Sequence, residues 1–261
     1  MYLALVGAAF VVGTLIGTVG VGGILLIPAL SAFASLSTHT AMATALFSFI
    51  FTGVVGTWLY HRRGSIDWRI TIPVCVGGAL FGYVGALANS LFDARTLNIL
   101  LSAVIIFAGV YALKPYNGAR TFTFEPGNKM HLLLLVAIGG AVGFGSGLTG
   151  VGGPVLSVPL MVIIGFAPLT AIATSQVIQI TAAMSGTIGN LTYGSIDFTV
   201  ASWVTVVEVA GVMLGVKIAH SAQAKHLKRL VSAVCILVGG FILARSLGFI
   251  ATTTQTVALV Q

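Results

Sequence analysis

The chain has 261 residues, of which 57% are hydrophobic and 7% charged, and its formal net charge is +7. Soluble domains carry about 25% charged residues, so this composition excludes a soluble domain and predicts an integral membrane protein. The apolar runs are continuous and of helical length, whereas a membrane β-barrel would alternate apolar and polar residues. The sequence therefore predicts an all-α membrane protein whose Lys and Arg residues act as topology signals, with no nucleic-acid partner.

Ten apolar segments are predicted in chain order, five in each half. The first half contains 2–19, 24–36, 40–60, 70–91 and 96–113, and the second contains 131–149, 154–166, 169–189, 199–217 and 229–249. A polar linker at 114–130 separates the halves, and a Thr-rich tail follows at 250–261. No basic residue precedes the first segment and no cleavage signal follows it, so we expect it to be retained as a helix.

The second half repeats the first at an offset of 130 residues. Gly-Val-Gly-Gly stands at 20–23 and 150–153, Thr-Ala-x-Ala-Thr at 40–44 and 170–174, and Gly-Ser-Ile-Asp at 64–67 and 194–197. Between residues 12 and 67, 20 positions are identical to their counterparts, against about five expected from so skewed a composition. The chain is therefore a duplication, with repeat one at 1–113 and repeat two at 131–249.

Loop charges predict that the two repeats are inverted. The loop 61–69 carries three Arg and one Asp, whereas its copy at 190–198 has no basic residue. The next loop is neutral in repeat one but carries four basic residues, Lys217, Lys225, Lys228 and Arg229, in repeat two. Basic loops stay in the cytoplasm, so equivalent loops are expected on opposite faces of the membrane.

The short segments that follow the glycines predict two re-entrant hairpins. A helix over 24–36 rises about 20 Å, less than the ~30 Å hydrocarbon thickness. It either completes a broken helix or returns as a hairpin with the segment before it. The linker is expected in the cytoplasm and the loop at 190 outside, so the chain between them must cross the membrane an odd number of times. A hairpin followed by one helix crosses once, whereas a broken helix followed by one helix crosses twice. The loop charges therefore favour the hairpin. We expect six full crossings, two hairpins that meet near the midplane from opposite faces, and both termini outside.

Each break starts a helix inside the membrane, where free N–H groups and the helix dipole attract an anion. Glycine also packs membrane helices closely. Breaks copied in both halves, however, are the best sequence pointer to a transporter's substrate site. The candidate substrate-binding glycines are Gly20, Gly22, Gly23, Gly150, Gly152 and Gly153.

The helices after the breaks supply polar candidates at i+4 spacing. Repeat two departs from repeat one by placing Gln at two positions that hold Leu46 and Phe49 in repeat one. Amide groups can donate to oxyanion oxygens, and interhelical hydrogen bonding is the alternative explanation. The polar substrate-binding candidates are Thr40, Thr44, Thr170, Thr174, Gln176 and Gln179.

Glu208 is the only acid in the middle of an apolar segment, with Gly211 and Gly215 on its face at i+3 and i+7. This spacing predicts a packed helix contact. A buried carboxyl there suits proton coupling and suits a silent hydrogen-bond donor equally well. The cysteines and histidines lack metal-ligand spacing, so no metal or cofactor is predicted.

The duplicated Gly-x-Gly-Gly breaks, the Thr-Ala-x-Ala-Thr helix starts and the Gly-Ser-Ile-Asp loops resemble the TauE/SafE family of sulfite and organosulfonate exporters. The resemblance extends over about residues 3–249. It implies a multi-pass permease of a prokaryotic plasma membrane that exports small sulfur oxyanions such as sulfite, sulfoacetate or related sulfonates.

Three classes of function compete for this pattern. An anion transporter explains the duplication and the breaks. An anion channel would use the same electrostatics but needs a continuous wet path, and an importer of a related oxyanion or carboxylate would use the same site. An intramembrane enzyme needs a nucleophile–base pair or metal ligands, which the apolar segments lack, so no enzyme is predicted. The expected partners are a small anion and the lipid bilayer, with a homo-oligomer left open.

Overall fold

The computed structural model describes residues 2–89, 128–149, 153–190 and 195–248, together with scattered helical positions between 96 and 110. The helices are α1 (Tyr2–Val19), α2 (Leu26–Phe33), α3 (Thr38–Arg62), α4 (Trp68–Asn89), α5 (Lys129–Thr149), α6 (Pro154–Ile164), α7 (Pro168–Asn190), α8 (Phe198–Ser221) and α9 (Ala224–Ser246). No strand occurs among the described residues, and the all-α prediction is confirmed. Much of the segment 96–113, the linker up to 127 and the tail lie outside the described residues.

Four stretches are long and apolar enough to cross a membrane. They are Thr40–Arg62, Lys129–Ser146, Phe198–Ser221 and Ala224–Ser246. Three of them belong to the predicted crossings, whereas α5 was predicted as one arm of a hairpin. Helix α7 is not among the four, and its Thr, Ser and Gln side chains at 174–179 are buried within the protein. The count of six crossings therefore stays a prediction.

Side-chain caps explain where several helices begin. The Ser37 hydroxyl accepts a hydrogen bond from the Thr40 N–H at 3.3 Å, so α3 starts two residues before the predicted segment. Asp197 accepts from the Val200 N–H at 3.0 Å at the start of α8. Asp67 accepts from an N–H of the first turn of α4 at 2.9 Å. The aspartate of each Gly-Ser-Ile-Asp copy thus starts the following helix.

The closest helix contacts occur twice, once for each repeat. A Cβ added to Gly13 on α1 would overlap the Glu208 carbonyl on α8. A Cβ added to Gly143 on α5 would overlap the Gly78 carbonyl on α4. Gly13 and Gly143 are counterparts at the 130-residue offset, and so are Gly78 and Glu208. The α1–α8 and α4–α5 pairs are therefore the same backbone-to-backbone contact made twice.

Helices α1, α3 and α8 run in the same direction. The Thr44 hydroxyl, near the start of α3, accepts a hydrogen bond at 3.2 Å from the Asp197 N–H at the start of α8. At the other end of α3, Arg63 donates to the Val216 carbonyl in the last part of α8 at 3.1 Å. Gly17 lies one turn after Gly13 on α1, and it packs on α8 one turn after Glu208. Helix α1 therefore runs in the same direction as α8.

Helices α3 and α7 cross in opposite directions at the centre of the molecule. The Gln179 amide nitrogen lies 3.0 Å from the Phe49 carbonyl oxygen. Further along α3, Gly56 packs against Gln176, which lies earlier on α7. Phe49 and Gln179 are also counterparts at the 130-residue offset.

Candidate functional site

The first glycine break ends α1 and turns the chain back on itself. Gly20 has φ +72°, a left-handed conformation that glycine adopts without strain, and its N–H donates to the Ile16 carbonyl at 3.0 Å. Gly22 then packs against the side of α1. Gly23 starts the short 3-10 turn that precedes α2 and packs against the Phe49 ring. The break therefore places the start of a helix beside the middle of α3.

Gly153 is the one residue of the second break that the structure describes, because Gly150 and Gly152 lie outside the described residues. Gly153 stands directly before α6, and Pro154 occupies the first helical position, where its missing N–H costs no hydrogen bond. A Cβ added to Gly153 would lie 2.5 Å from the Ile178 side chain on α7. This break therefore packs on α7 as the first packs on α3.

The first break and the start of α6, directly after the second break, line one small cavity, which we call the central cavity. Its volume is about 20 Å³, close to the minimum that holds one water molecule. An anion with four or more heavy atoms needs more space than this. Its lining residues are Ile16, Gly20, Gly23, Leu46, Phe49, Pro154, Val155, Gln179 and Ala183.

The two glutamine amides bind protein oxygens in this conformation. Gln179 donates both amide hydrogens, to the Phe49 carbonyl at 3.0 Å and to the Thr52 hydroxyl at 2.9 Å. Gln176 donates to the Ile16 carbonyl at 3.0 Å, the same oxygen that accepts the N–H of the first break. Gln179 lines the central cavity, whereas Gln176 hydrogen-bonds to the end of α1. That either amide binds an oxyanion stays a prediction.

Two of the four candidate threonines bond to neighbouring elements away from the central cavity. Thr44 accepts the Asp197 N–H at 3.2 Å, and the Thr174 hydroxyl lies 3.1 Å from the hydroxyl of Thr71 on α4. Both threonines are buried. Each one therefore links a helix that follows a break to an element of the other repeat.

The other two threonines lie at helix starts. Thr40 is held by the Ser37 cap, whose hydroxyl also donates to the Thr40 hydroxyl at 3.0 Å. Thr170 lines an open cleft at the start of α7, next to the loop Gly64–Arg69. None of the four candidate threonines lines the central cavity.

Glu208 is fully buried where α8 packs on α1. Gly211 and Gly215 both pack on the α1 backbone, so the predicted helix contact on this face is confirmed. Neither Glu208 carboxylate oxygen has a hydrogen-bond partner among the described residues. An unpaired buried charge is very costly, so the surroundings of Glu208 disfavour a charged carboxylate.

The sequence interpretation missed the apolar lining of the central cavity and one buried hydroxyl. Pro154, Val155 and Ala183 line the cavity, but their side chains carry no chemical signal that separates them from core residues. Leu46 also lines it and was recognisable in principle as the repeat counterpart of Gln176. Thr71 lies just beyond the aligned part of the repeats, and only its partner on α7 was a candidate. Phe49 was recognisable in principle, because it is the repeat counterpart of a polar candidate.

A family model for the sulfite exporter TauE/SafE matches residues 5–242. The chain belongs to the TauE/SafE family. This match agrees with the resemblance given by the duplicated motifs, and it makes the chain a membrane transporter. Within the described residues, no three His, Cys, Asp or Glu side chains come together as metal ligands.

Curated relatives of this TauE/SafE protein carry transporter names without a substrate. The chain is 27% identical to the probable membrane transporter protein YunE of Bacillus subtilis, over 88% of this chain and 94% of YunE. It is 28% identical to YdhB of the same organism, over 80% and 86%. It is 24% identical to MJ0441 of Methanocaldococcus jannaschii, over 92% and 94%. No solved structure matches the chain.

Proposed function

We propose that this TauE/SafE protein exports small sulfur-containing anions, namely sulfite, sulfoacetate or other organosulfonates. The anion is held at the membrane midplane, between the helix starts that follow the two glycine breaks. The family description supports the substrate class. The observation that carries the site is the single central cavity, lined by Gly20 and Gly23 from one break and by Pro154 directly after the other.

The electrostatics of this position favour an anion over a cation. The starts of α2 and α6 each carry about half a positive charge from the helix dipole. Among the described lining residues none is acidic, and Gln179 is the one with a polar side chain. Two converging helix starts in an uncharged setting therefore stabilise a negative ligand.

We infer an inverted arrangement of the two repeats. The contact between Phe49 and Gln179 joins repeat counterparts, so it lies on the axis that exchanges them. Since α3 and α7 are antiparallel there, this axis is perpendicular to both helices. With α3 across the membrane, the axis lies in the membrane plane, as in other inverted-repeat transporters.

We further infer that α1 and α2 form a re-entrant hairpin. Helices α1 and α3 run in the same direction, so the chain between them must return to the face where α1 began. The turn after Gly20 begins this return, and Gly22 packs back along α1. The inversion gives α5 and α6 the same role from the opposite face.

The basic loop 61–69 sets the proposed orientation. Its three arginines place it in the cytoplasm, and both termini then lie outside. Relatives in a bacterium and an archaeon support a prokaryotic plasma membrane as the location.

The structure represents a closed conformation in this proposal. A cavity of about 20 Å³ admits one water molecule but not a sulfonate. Substrate binding therefore requires the hairpins to move relative to α3 and α7. This closure favours a transporter over a channel, which would need a continuous wet path.

The proposal is tested with proteoliposomes that contain radiolabelled sulfite or sulfoacetate, with acetate as the matched non-sulfur anion. An imposed potential supplies about 2.3 kcal/mol per charge per 100 mV, enough to accumulate a monovalent anion roughly fortyfold. We expect the sulfur anions to move in the direction set by the potential. Transport of acetate alone would overturn the substrate class, and single-channel currents would favour the anion channel. A related oxyanion or carboxylate importer is the remaining alternative, and it predicts net uptake into cells.

A further inference from the structure

An open cleft lies beside the basic loop, at the membrane face that we place in the cytoplasm. Its volume is about 640 Å³, in the range of small-molecule sites. The loop Gly64–Arg69 forms one wall, and Leu169 and Thr170 at the start of α7 form the other. We call it the loop cleft. Its polar side chains include the Ser65 and Thr170 hydroxyls and the Arg69 guanidinium.

The three arginines of this loop have different surroundings. The Arg62 guanidinium stacks over the Trp58 ring, 4.9 Å from its centroid. Arg63 donates to a carbonyl of α8 at 3.1 Å. Arg69 is exposed, lines the loop cleft and makes no hydrogen bond through its side chain to any described residue. Arg69 is therefore the arginine that is available to a solute in the cleft.

One acid partly offsets this charge. Asp67 also lines the loop cleft, and its carboxylate accepts the Arg69 N–H at 2.9 Å. Three arginines against one aspartate leave the loop 61–69 with a net charge of +2, whereas its counterpart 190–198 holds Asp197 and no basic residue. Thr199 stands at the position equivalent to Arg69. The two repeats thus carry opposite charges at equivalent places on opposite faces.

The loop cleft lies above one of the buried threonine contacts. Thr174 is one turn further along α7 than Thr170, about 6 Å deeper. Its hydroxyl is 3.1 Å from the Thr71 hydroxyl, and both side chains are fully buried. Further along α7, Gln179 lines the central cavity. Along the axis of α7, the Thr71–Thr174 contact therefore lies between the level of the open cleft and the level of the closed cavity.

We propose that the loop cleft is an outer binding site for the substrate anion, where Arg69 attracts a sulfite or sulfonate group before it passes to the central cavity. This inference rests on the proposed function. The Thr170 hydroxyl supplies a neutral hydrogen-bond donor to the same oxyanion, whereas the Ser65 hydroxyl is 2.8 Å from His220 Nε2. Because the equivalent loop lacks a basic residue, the anion is collected on the arginine side, while the membrane potential sets the direction of net transport.

The charge of the cleft can be measured without any transport. In a background with Cys75→Ala and Cys235→Ala, a cysteine in place of Thr170 reports the local potential through its reaction with methanethiosulfonate reagents. The anionic reagent, itself an ethylsulfonate, is compared with the cationic trimethylammonium reagent. One charge roughly 7 Å from the reacting thiol, in a wet cleft, changes the concentration of a monovalent ion at that thiol by about threefold to sevenfold.

We expect Arg69→Gln to slow the sulfonate reagent and speed the cationic one, which lowers the ratio of the two rates by about tenfold or more. Asp67→Asn keeps a helix-capping side chain and is expected to raise the ratio. Arg62→Gln is the matched control, because it removes the same charge from the same loop but points at Trp58. Equal ratios in the Arg69→Gln and Arg62→Gln proteins would overturn the proposal.

A transport arm separates this proposal from the proposed function. In inverted membrane vesicles, Arg69→Gln should raise the KM for sulfoacetate about threefold or more with little change in kcat, and Arg69→Lys should restore it. An unchanged KM in Arg69→Gln, with active wild type, overturns the outer site alone. Inactive wild type overturns the sulfonate substrate, and the reagent ratios then decide whether the cleft is an anion site.

Discussion

Replacing Gly23 with alanine adds one methyl group between the first break and the Phe49 ring. The added Cβ would lie 2.7 Å from Cζ and 2.9 Å from Cε2 of that ring. Carbon atoms in contact are normally about 3.5–4.0 Å apart, so the overlap is about 1 Å. Because Gly23 does not have positive φ, the cost comes from this overlap and not from backbone strain.

Overpacking of this kind costs about 1–3 kcal/mol. Gly23 also lines the cavity that must accept the anion. If the added methyl group overlaps the bound anion to a similar extent, Gly23→Ala should lower affinity about fivefold to a hundredfold, at 1.4 kcal/mol per tenfold. Sulfite-induced thermal stabilisation of the purified protein measures this loss. Phe49→Leu in the same chain removes the ring and should restore binding.

Gly7→Ala is the matched control, since its added Cβ meets no atom within 4 Å. It should bind sulfite as the wild type does. A folded Gly23→Ala protein with wild-type affinity would refute the placement of the site. A double variant that folds but stays unable to bind would refute the steric explanation.

The remaining predictions concern topology, packing and energy coupling. In a cysteine-free background, a cysteine at Gly194 should react with an impermeant thiol reagent on whole cells and one at Gly64 should not, whereas equal labelling would mean that the repeats are parallel. Gln179→Leu loses two hydrogen bonds, so thermal unfolding should show a loss of about 1–3 kcal/mol; an unchanged unfolding temperature would contradict the central α3–α7 contact. Glu208→Gln replaces the buried acid with a neutral amide of the same shape, so it should retain most potential-driven transport in proteoliposomes. If the wild type instead follows a pH gradient at zero potential and Glu208→Gln loses this dependence, Glu208 is the proton carrier.

Hydropathy made the helices predictable. The first segment, 2–19, coincides with α1, and the segments 40–60 and 169–189 differ from α3 and α7 by one or two residues at each end. The glycines beside Glu208 also predicted a packed face correctly. These features are local, because the spacing along one helix determines them.

The partners of the candidate side chains were not predictable. Gln179 has donors that suit an oxyanion, yet a helix carbonyl and a threonine hydroxyl accept them. Thr174 bonds to Thr71 across two helices, and no spacing along the chain records that contact. The central cavity depends on apolar residues that meet only when both repeats fold together. The sequence pattern therefore identified Gly20, Gly23 and Gln179 but not the apolar residues that complete the lining of the central cavity.

The position of the anion is the central claim, and a structure with a bromine-labelled sulfonate tests it most directly. Bromoethanesulfonate carries the proposed sulfonate group and an anomalous scatterer. We expect its anomalous peak between Gly23 and Pro154, with the cavity enlarged beyond 20 Å³. A sole peak elsewhere in the protein, with the central cavity closed and empty, would contradict the account.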